Sequence, residues 1–567
     1  MALFAAAACA TRPGSQAARP PEPQAVAGAN VSPSDDLRIA PDIHERALQF
    51  PATRIDYDRA LLSAEDQQTV RLLIEASRVI DDIFLRQVDE ANPALRESLP
   101  ALLRQQVPGA LDAIEYFDIQ YGPWDRLRAD QPFLGTRRKP PGAAFYPADM
   151  TAEELERWIA AHPQDRDAFA GLFTVIRRKG PALIAIPYSK YHAAALSIVA
   201  RKLREAAAVT TSASLKKFLN LRADALLSDD YFASDVAWMD LDSPIEVTIG
   251  PYEVYEDGLF NYKAAFESFV TVRDREESQR LSMYAQHLPD MERNLPIPEE
   301  HKNFNRKFES PIVVVQEIFT AGDARKGVQT SAFNLPNDER VREAKGSKKV
   351  LLKNIMQAKF EKSGRPVAER TLDPGNFRAV SFDAYFNHTL FHELSHGLGP
   401  GMITAPDGRK IEARLLLKNL YSTIEECKAD VVGMWNVLYA IDQKWLTSFD
   451  ENALYATVAG LAFRSMRFGL EEAHGGGTAV QWNWFREKGG IVPVDTGRFR
   501  VRPPKMREAV RSLAGELLEI EATGDFDRAQ RLLSRYGKET PDIRSTIQKL
   551  SDIPVDVRPV FVAAGES

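Results

Sequence analysis

Apolar residues return every three or four positions over residues 63–88 and over much of 151–227, which predicts amphipathic helices there. Two apolar runs interrupt the second stretch. Phe173-Thr-Val-Ile-Arg-Arg and Ala182-Leu-Ile-Ala-Ile-Pro flank Lys179-Gly-Pro, and this predicts two strands joined by a turn. Pro244-Ile-Glu-Val-Thr-Ile, residues 265–272 and residues 311–319 are further predicted strands. From 341 to 475 the pattern is mainly helical, and helices are predicted again at 505–523, 526–536 and 541–550. No internal repeat is present. The expected fold is therefore α+β and mainly helical, with two lobes flanking a cleft. A mixed, strand-containing lobe covers 41–272 and a helix-rich lobe covers 273–545. The last segment, 546–567, holds a strand candidate at 554–562 that returns to the first lobe.

Composition narrows the class. A chain of 567 residues can bury two or more full cores. Its net charge of -7 argues against a dedicated nucleic-acid binder. No apolar run approaches the ~20 residues of a transmembrane helix. The two cysteines, Cys9 and Cys427, exclude a disulfide framework. Residues 1–40 read as a disordered linker, rich in Ala, Pro and Gly. Within it, Leu3-Phe-Ala-Ala-Ala-Ala-Cys9 resembles the end of a bacterial lipoprotein signal, although a positive start region is missing. On that reading Cys9 carries a lipid anchor, the tract is a tether and the protein sits in the bacterial cell envelope. The alternative is a low-complexity tail on a cytoplasmic protein.

The chemistry concentrates in His392-Glu393-Leu394-Ser395-His396. Only nine histidines occur in the chain, so an H-E-x-x-H pentapeptide is rare by chance. Residues four apart share one face of a helix, so His392 and His396 can hold one metal ion while Glu393 stands beside it as general base. Ser381 or Asp383 can cap this helix, residues 385–398 lack proline, and Gly397-Leu-Gly-Pro ends it. A zinc hydrolase also needs a third protein ligand and an open position for water. Glu425-Glu426-Cys427-Lys-Ala-Asp430 opens a second predicted helix, and Glu426 follows His392 by 34 residues. Two antiparallel helices would bring Glu426 to the metal as third ligand. Asp430, on the same face, would orient one ligand histidine and Glu425 the other. Cys427 turns about 100° away from Glu426 and packs instead of ligating. His388 lies one turn before His392. It is either an alternative ligand or a histidine satisfied outside the site, since three ligands in one straight row cannot enclose a tetrahedral ion.

HELSH followed by EECKAD resembles the dipeptidyl peptidase III family of zinc exopeptidases, which remove dipeptides from the N-terminus of short peptides. The family's usual first signature is the six-residue HELLGH, and this chain has one residue fewer between its histidines. The resemblance implies one Zn²⁺ per chain and short peptides as substrates. Ile249-Gly-Pro-Tyr-Glu253-Val-Tyr255 is similar to the family's G-x-x-E-x-Y stretch. It implies that Glu253 binds the substrate amine and that Tyr255 meets the carbonyl oxygen in the transition state. Asn334-Leu-Pro-Asn337 resembles the family's N-I-P-N loop, implying that Asn334 and Asn337 hold the peptide's N-terminal end. Glu472-Ala-His474 resembles the family's Q-A-H segment, so His474 is expected to contact substrate and help stabilise the oxyanion. The family's arginine four residues further on is Thr478 here. Two other functions stay open at this level. One is a zinc endopeptidase or other amide hydrolase, and the other is a non-catalytic peptide-binding protein. Gly475-Gly-Gly477 reads as a mobile or close-approach loop.

Overall fold

Ser63 starts the first long helix. Its hydroxyl accepts from Asp66 N at 3.1 Å while the Asp66 carboxylate accepts from Ser63 N at 3.3 Å, so α1 (Ala64–Val88) opens on a capping box. The computed structural model describes residues 37–304, 312–404, 410–495 and 497–566. Cys9 and the tract around it lie outside them. No helix of the described residues is long and apolar enough to cross a membrane. Just before α1 runs a short strand, β1 (Ala52–Ile55). After it come the hairpin β2 (Thr174–Lys179) and β3 (Ala182–Pro187), then α2 (Ala193–Val209) and α3 (Ala213–Ser228).

One five-stranded sheet follows. Its strands are β4 (Ile245–Glu253), β5 (Ala265–Arg273), β6 (Ile312–Gly322), β7 (Ala332–Leu335) and β8 (Lys348–Leu352), in the spatial order β4-β5-β6-β8-β7. β6 and β8 are parallel and the other neighbours antiparallel. The sheet curls. Phe269 on β5 stacks on Phe333 of β7 with ring centroids 4.4 Å apart, although two strands lie between them in the ladder. The lobe boundary expected at 272/273 falls inside this sheet, because β5 and β6 pair across it. The hydrophobic pattern reports each strand but not its partner, so sequence alone split one layer into two.

The helical part is built on α4 (Phe382–Ser395), α5 (Tyr421–Asp442), α6 (Glu451–Met466), α7 (Ala473–Glu487) and α8 (Pro503–Thr523). Ser381 caps α4, accepting from Ala384 N at 3.1 Å. α4 ends at Ser395, three residues earlier than the pattern suggests, but His396 keeps helical dihedrals (φ -58°, ψ -30°) and so stays one turn from His392. Leu390, Phe391, Val431, Val437 and Leu513 belong to one core with Val314 of β6 and Leu351 of β8, so one sheet face looks toward the core that holds α4 and α5. The chain closes with β9 (Arg558–Phe561), which pairs in parallel with β1.

α4 and α5 cross unusually closely at Gly433. A Cβ there would lie 2.8 Å from His392 N and 3.1 Å from His392 Cα, which are backbone atoms that cannot rotate aside. Gly433→Ala should therefore push the two metal-bearing helices apart and cost about 1–3 kcal/mol of stability. Thermal unfolding with and without zinc checks this. The metal-dependent part of the stability should shrink more than the rest, and an unchanged zinc response would remove Gly433 from the account.

Candidate metal centre

α4 and α5 carry their functional side chains to one point. Nδ1 of His392 donates to Asp430 Oδ1 at 2.7 Å, and Nδ1 of His396 donates to Glu425 Oε1 at 2.7 Å. Ionised carboxylates only accept, so each Nδ1 carries a proton and each Nε2 is the atom turned toward the converging point, free to bind a metal that displaces any proton there. Those two Nε2 atoms lie 3.1 Å apart. Glu426 Oε2 stands 3.3 Å from Nε2 of His392 and 3.8 Å from Nε2 of His396. Glu426 Oε2 is buried and has no hydrogen-bond partner among the described residues. Three potential ligand atoms thus converge on one point, where they can share the positive charge of a proton or of a metal ion that displaces it.

That arrangement fits zinc. Two ligands ~2.0–2.1 Å from a tetrahedral ion are ~3.3 Å apart, close to the spacings seen here. Burial works against charge on His392, but Asp430 and Glu426 outweigh it and hold its imidazole up to about 10, so the site draws in positive charge. Asp430 is held below its ordinary value, the His392 contact outweighing burial, and Glu425 likewise through Lys428 and His396. Both are braced. Gln481 Nε2 donates to Asp430 Oδ2 at 2.9 Å, and Lys428 Nζ donates to Glu425 Oε1 at 3.0 Å.

His388 turns elsewhere. Its Nε2 lies 3.0 Å from the backbone oxygen of Asp430, and burial lowers its basicity. It is absent from the converging group of His392, His396 and Glu426. Cys427 is buried, burial pushes its thiol up, and it backs onto Gly477 of α7. A Cβ at Gly477 would lie 3.2 Å from Cys427 Cβ. The three consecutive glycines are therefore part of a helix packed against α5, where the sequence suggested a loop.

Glu393 and His474 flank the converging atoms. Glu393 is 21% exposed, and Lys349 of β8 donates to its Oε2 at 2.9 Å and to its backbone oxygen at 2.7 Å. Burial raises the Glu393 carboxyl, but Lys349 and the imidazoles keep it below the usual glutamate value. His474, in the first turn of α7, is 67% exposed with Nδ1 at 3.3 Å from Glu426 Oε2. Both line a cavity of 870 Å³ together with His392, Asp430 and Gln481. Arg126, Leu127 and residues 328–332 also line it.

Glu253, Tyr255, Asn334 and Asn337 lie outside that cavity wall. Glu253 ends β4, and Asn337 Nδ2 donates to the neighbouring Tyr252 oxygen at 3.2 Å, tying the loop after β7 to this strand end. Burial, and then the charge of Asp323, raise the Glu253 carboxyl. Glu267 is raised still further by burial, Asp323 and Glu253. Tyr255 is 76% exposed. Asn334 pairs with Lys349 across β7 and β8, so their side chains share a sheet face. Sequence reasoning missed Lys349, Gln481, Glu267 and Asp323. Gln481 follows His474 by seven residues, two helical turns, and that spacing was a usable signal. The other three depend on strand register and had none.

A mainly helical scaffold that presents two helix-borne histidines, a third carboxylate and an adjacent glutamate is that of a metallopeptidase. The sequence model of peptidase family M49 matches residues 174–412. The structure of dipeptidyl peptidase III from Caldithrix abyssi is 51% identical, covers 91% of this chain and 98% of that one, and superposes with a TM-score of 0.88. The structure of dipeptidyl peptidase III from Corallococcus sp. strain EGB is 41% identical with a TM-score of 0.78, covering 93% and 98%. A protein called Nudix hydrolase 3 from Arabidopsis thaliana is 37% identical over 557 residues, which are 89% of this chain and 72% of that protein. The chain belongs to peptidase family M49, the dipeptidyl peptidase III family.

Proposed function

We propose that the chain is a zinc-dependent peptidase that releases dipeptides from the free N-terminus of short peptides. The observation that carries this is the meeting of three potential ligand atoms, 3.1–3.8 Å apart, with His392 and Glu393 lining one cavity. One zinc ion held by His392, His396 and Glu426 would polarise the scissile carbonyl and acidify the attacking water. Asp430 and Glu425 keep the two imidazoles in the tautomer that presents Nε2. Glu393 takes the proton from the attacking water and later delivers it to the leaving amine. His474 reaches the cavity from the first turn of α7 and stabilises the negative carbonyl oxygen, with Tyr255 as the second donor.

The length of the released fragment is set by the amine site. Glu253, Glu267 and Asp323 bring three carboxyl groups together, and the raised Glu253 and Glu267 gain most from an ammonium group beside them. Asn334 and Asn337 add neutral hydrogen-bonding groups at the same strand end. A peptide amine held there lies at a fixed distance from Glu393. N-terminal acetylation removes the charge and adds bulk. It should raise KM or stop turnover of a short peptide, and Glu253→Ala should do the same to the free peptide. Mass spectrometry of the products decides the matter. Equal cleavage of free and acetylated peptides at internal bonds would show an endopeptidase instead.

A further inference from the structure

Lys349 occupies a position where a lysine needs a reason. It lies on β8, which is paired on both sides, to β6 and to β7. Its side chain is only 14% exposed and stands on the sheet face that looks toward the core holding α4 and α5. An ammonium group so placed loses most of its hydration and must find partners. The preceding residue, Lys348, finds them on the other sheet face, at the Trp238 oxygen (2.7 Å) and Glu246 (3.1 Å). Lys349 points the other way and crosses to α4. There it donates twice to a single residue, to the backbone oxygen of Glu393 at 2.7 Å and to its Oε2 at 2.9 Å.

We infer that Lys349 is the positioning residue of Glu393, an inference that rests on the peptidase reading above. A glutamate side chain has three rotatable bonds and several rotamers of similar energy. One ammonium bound to both ends of that side chain closes a ring and leaves one arrangement. The same contact divides the carboxylate. Oε2 is occupied, while Oε1 accepts no hydrogen bond from the described residues and remains for the proton of the attacking water. Lys349 also pairs directly with Asn334 across the β7–β8 ladder. It therefore ties the carboxylate that moves the proton to the strand proposed to hold the substrate's N-terminal end. The distance between amine anchor and proton acceptor is thus set by one strand pair and one ammonium.

The test uses the full-length zinc-loaded protein and a dipeptidyl arylamide substrate. Lys349→Met keeps the stem length and removes charge and donors. It should lower kcat by roughly 10–100-fold, the usual cost of misplacing a reacting group by about an ångström. KM should change less than ~3-fold, and the zinc content should stay at the wild-type value. Lys349→Arg, which can still reach both oxygens, should recover most of kcat, while Lys345→Met, at a surface ion pair at the end of the preceding helix, should match wild type. A crystal structure of Lys349→Met should show the Glu393 carboxylate displaced, and this readout needs no turnover. Four results would overturn the inference: an unchanged kcat, a loss confined to KM, a loss that follows zinc release, or a Glu393 carboxylate that has not moved. A wild-type protein that fails to turn over the substrate would count against the peptidase reading alone, because the crystal structure still judges the hold on Glu393.

Discussion

Glu393→Gln should keep its zinc and lose at least ~100-fold in peptide hydrolysis. The substitution preserves the size of the side chain and one carbonyl-type oxygen, so Lys349 can still donate at the position where it now meets Oε2, 2.9 Å away. What disappears is an oxygen able to take a proton, because an amide remains neutral at any working pH. None of the three converging atoms belongs to Glu393, so metal affinity should be almost untouched. The measurement pairs kcat with zinc content by atomic absorption. Activity within ~10-fold of wild type would move the proton transfer to another group, and His474, 3.3 Å from Glu426, would be the next candidate.

The parts of this site that local sequence spacing reveals are those carried by single helices. His392 and His396 are one turn apart, and Glu426 and Asp430 are one turn apart, so each pair shares a face whatever the rest of the chain does. The carboxylate partners of the imidazoles follow from the same periodicity, because the face that offers Glu426 also offers Asp430. Resemblance to a known family adds Glu253, Tyr255, Asn334, Asn337 and His474, residues that spacing alone does not connect. Strand register stays hidden. β8 reads Lys-Lys-Val-Leu-Leu, a weak strand signal because lysines are rare in buried sheets. It is stable here because Lys348 and Lys349 find carboxylates on opposite faces, Glu246 on one and Glu393 on the other. Both partners are distant in sequence, as are Asp323 and Glu267, which join Glu253 only when β4, β5 and β6 pair. The boundary drawn at 272/273 lies between paired strands for the same reason. A hydrophobic period identifies a strand and its buried face, but not the strand beside it.

Glu426→Ala should abolish stoichiometric zinc binding, and its effect on stability should depend on the metal. In the metal-free protein Glu426 Oε2 faces the imidazole Nε2 atoms of His392 and His396 at 3.3 and 3.8 Å; burial raises its carboxyl, but His392 and the neighbouring imidazoles outweigh burial and hold it below the usual glutamate value. Removing that carboxylate gives up this attraction, so metal-free Glu426→Ala should be somewhat less stable than metal-free wild type at neutral pH. Zinc widens the gap. A ligand that binds only the folded state adds RT ln(1 + [L]/Kd), about 4 kcal/mol at a thousandfold excess over Kd. Wild type should gain that increment when zinc replaces chelator. Glu426→Ala, left with two imidazoles and no charged ligand, should gain little of it. Thermal unfolding of both proteins in chelator and in zinc gives the four values required. His392→Ala should behave similarly toward zinc, and it leaves Asp430 buried without its imidazole partner and should therefore also be less stable than wild type in chelator. A Glu426→Ala protein that still gains the full increment from zinc would remove Glu426 from the ligand set and make His388 or His474 the third donor to test.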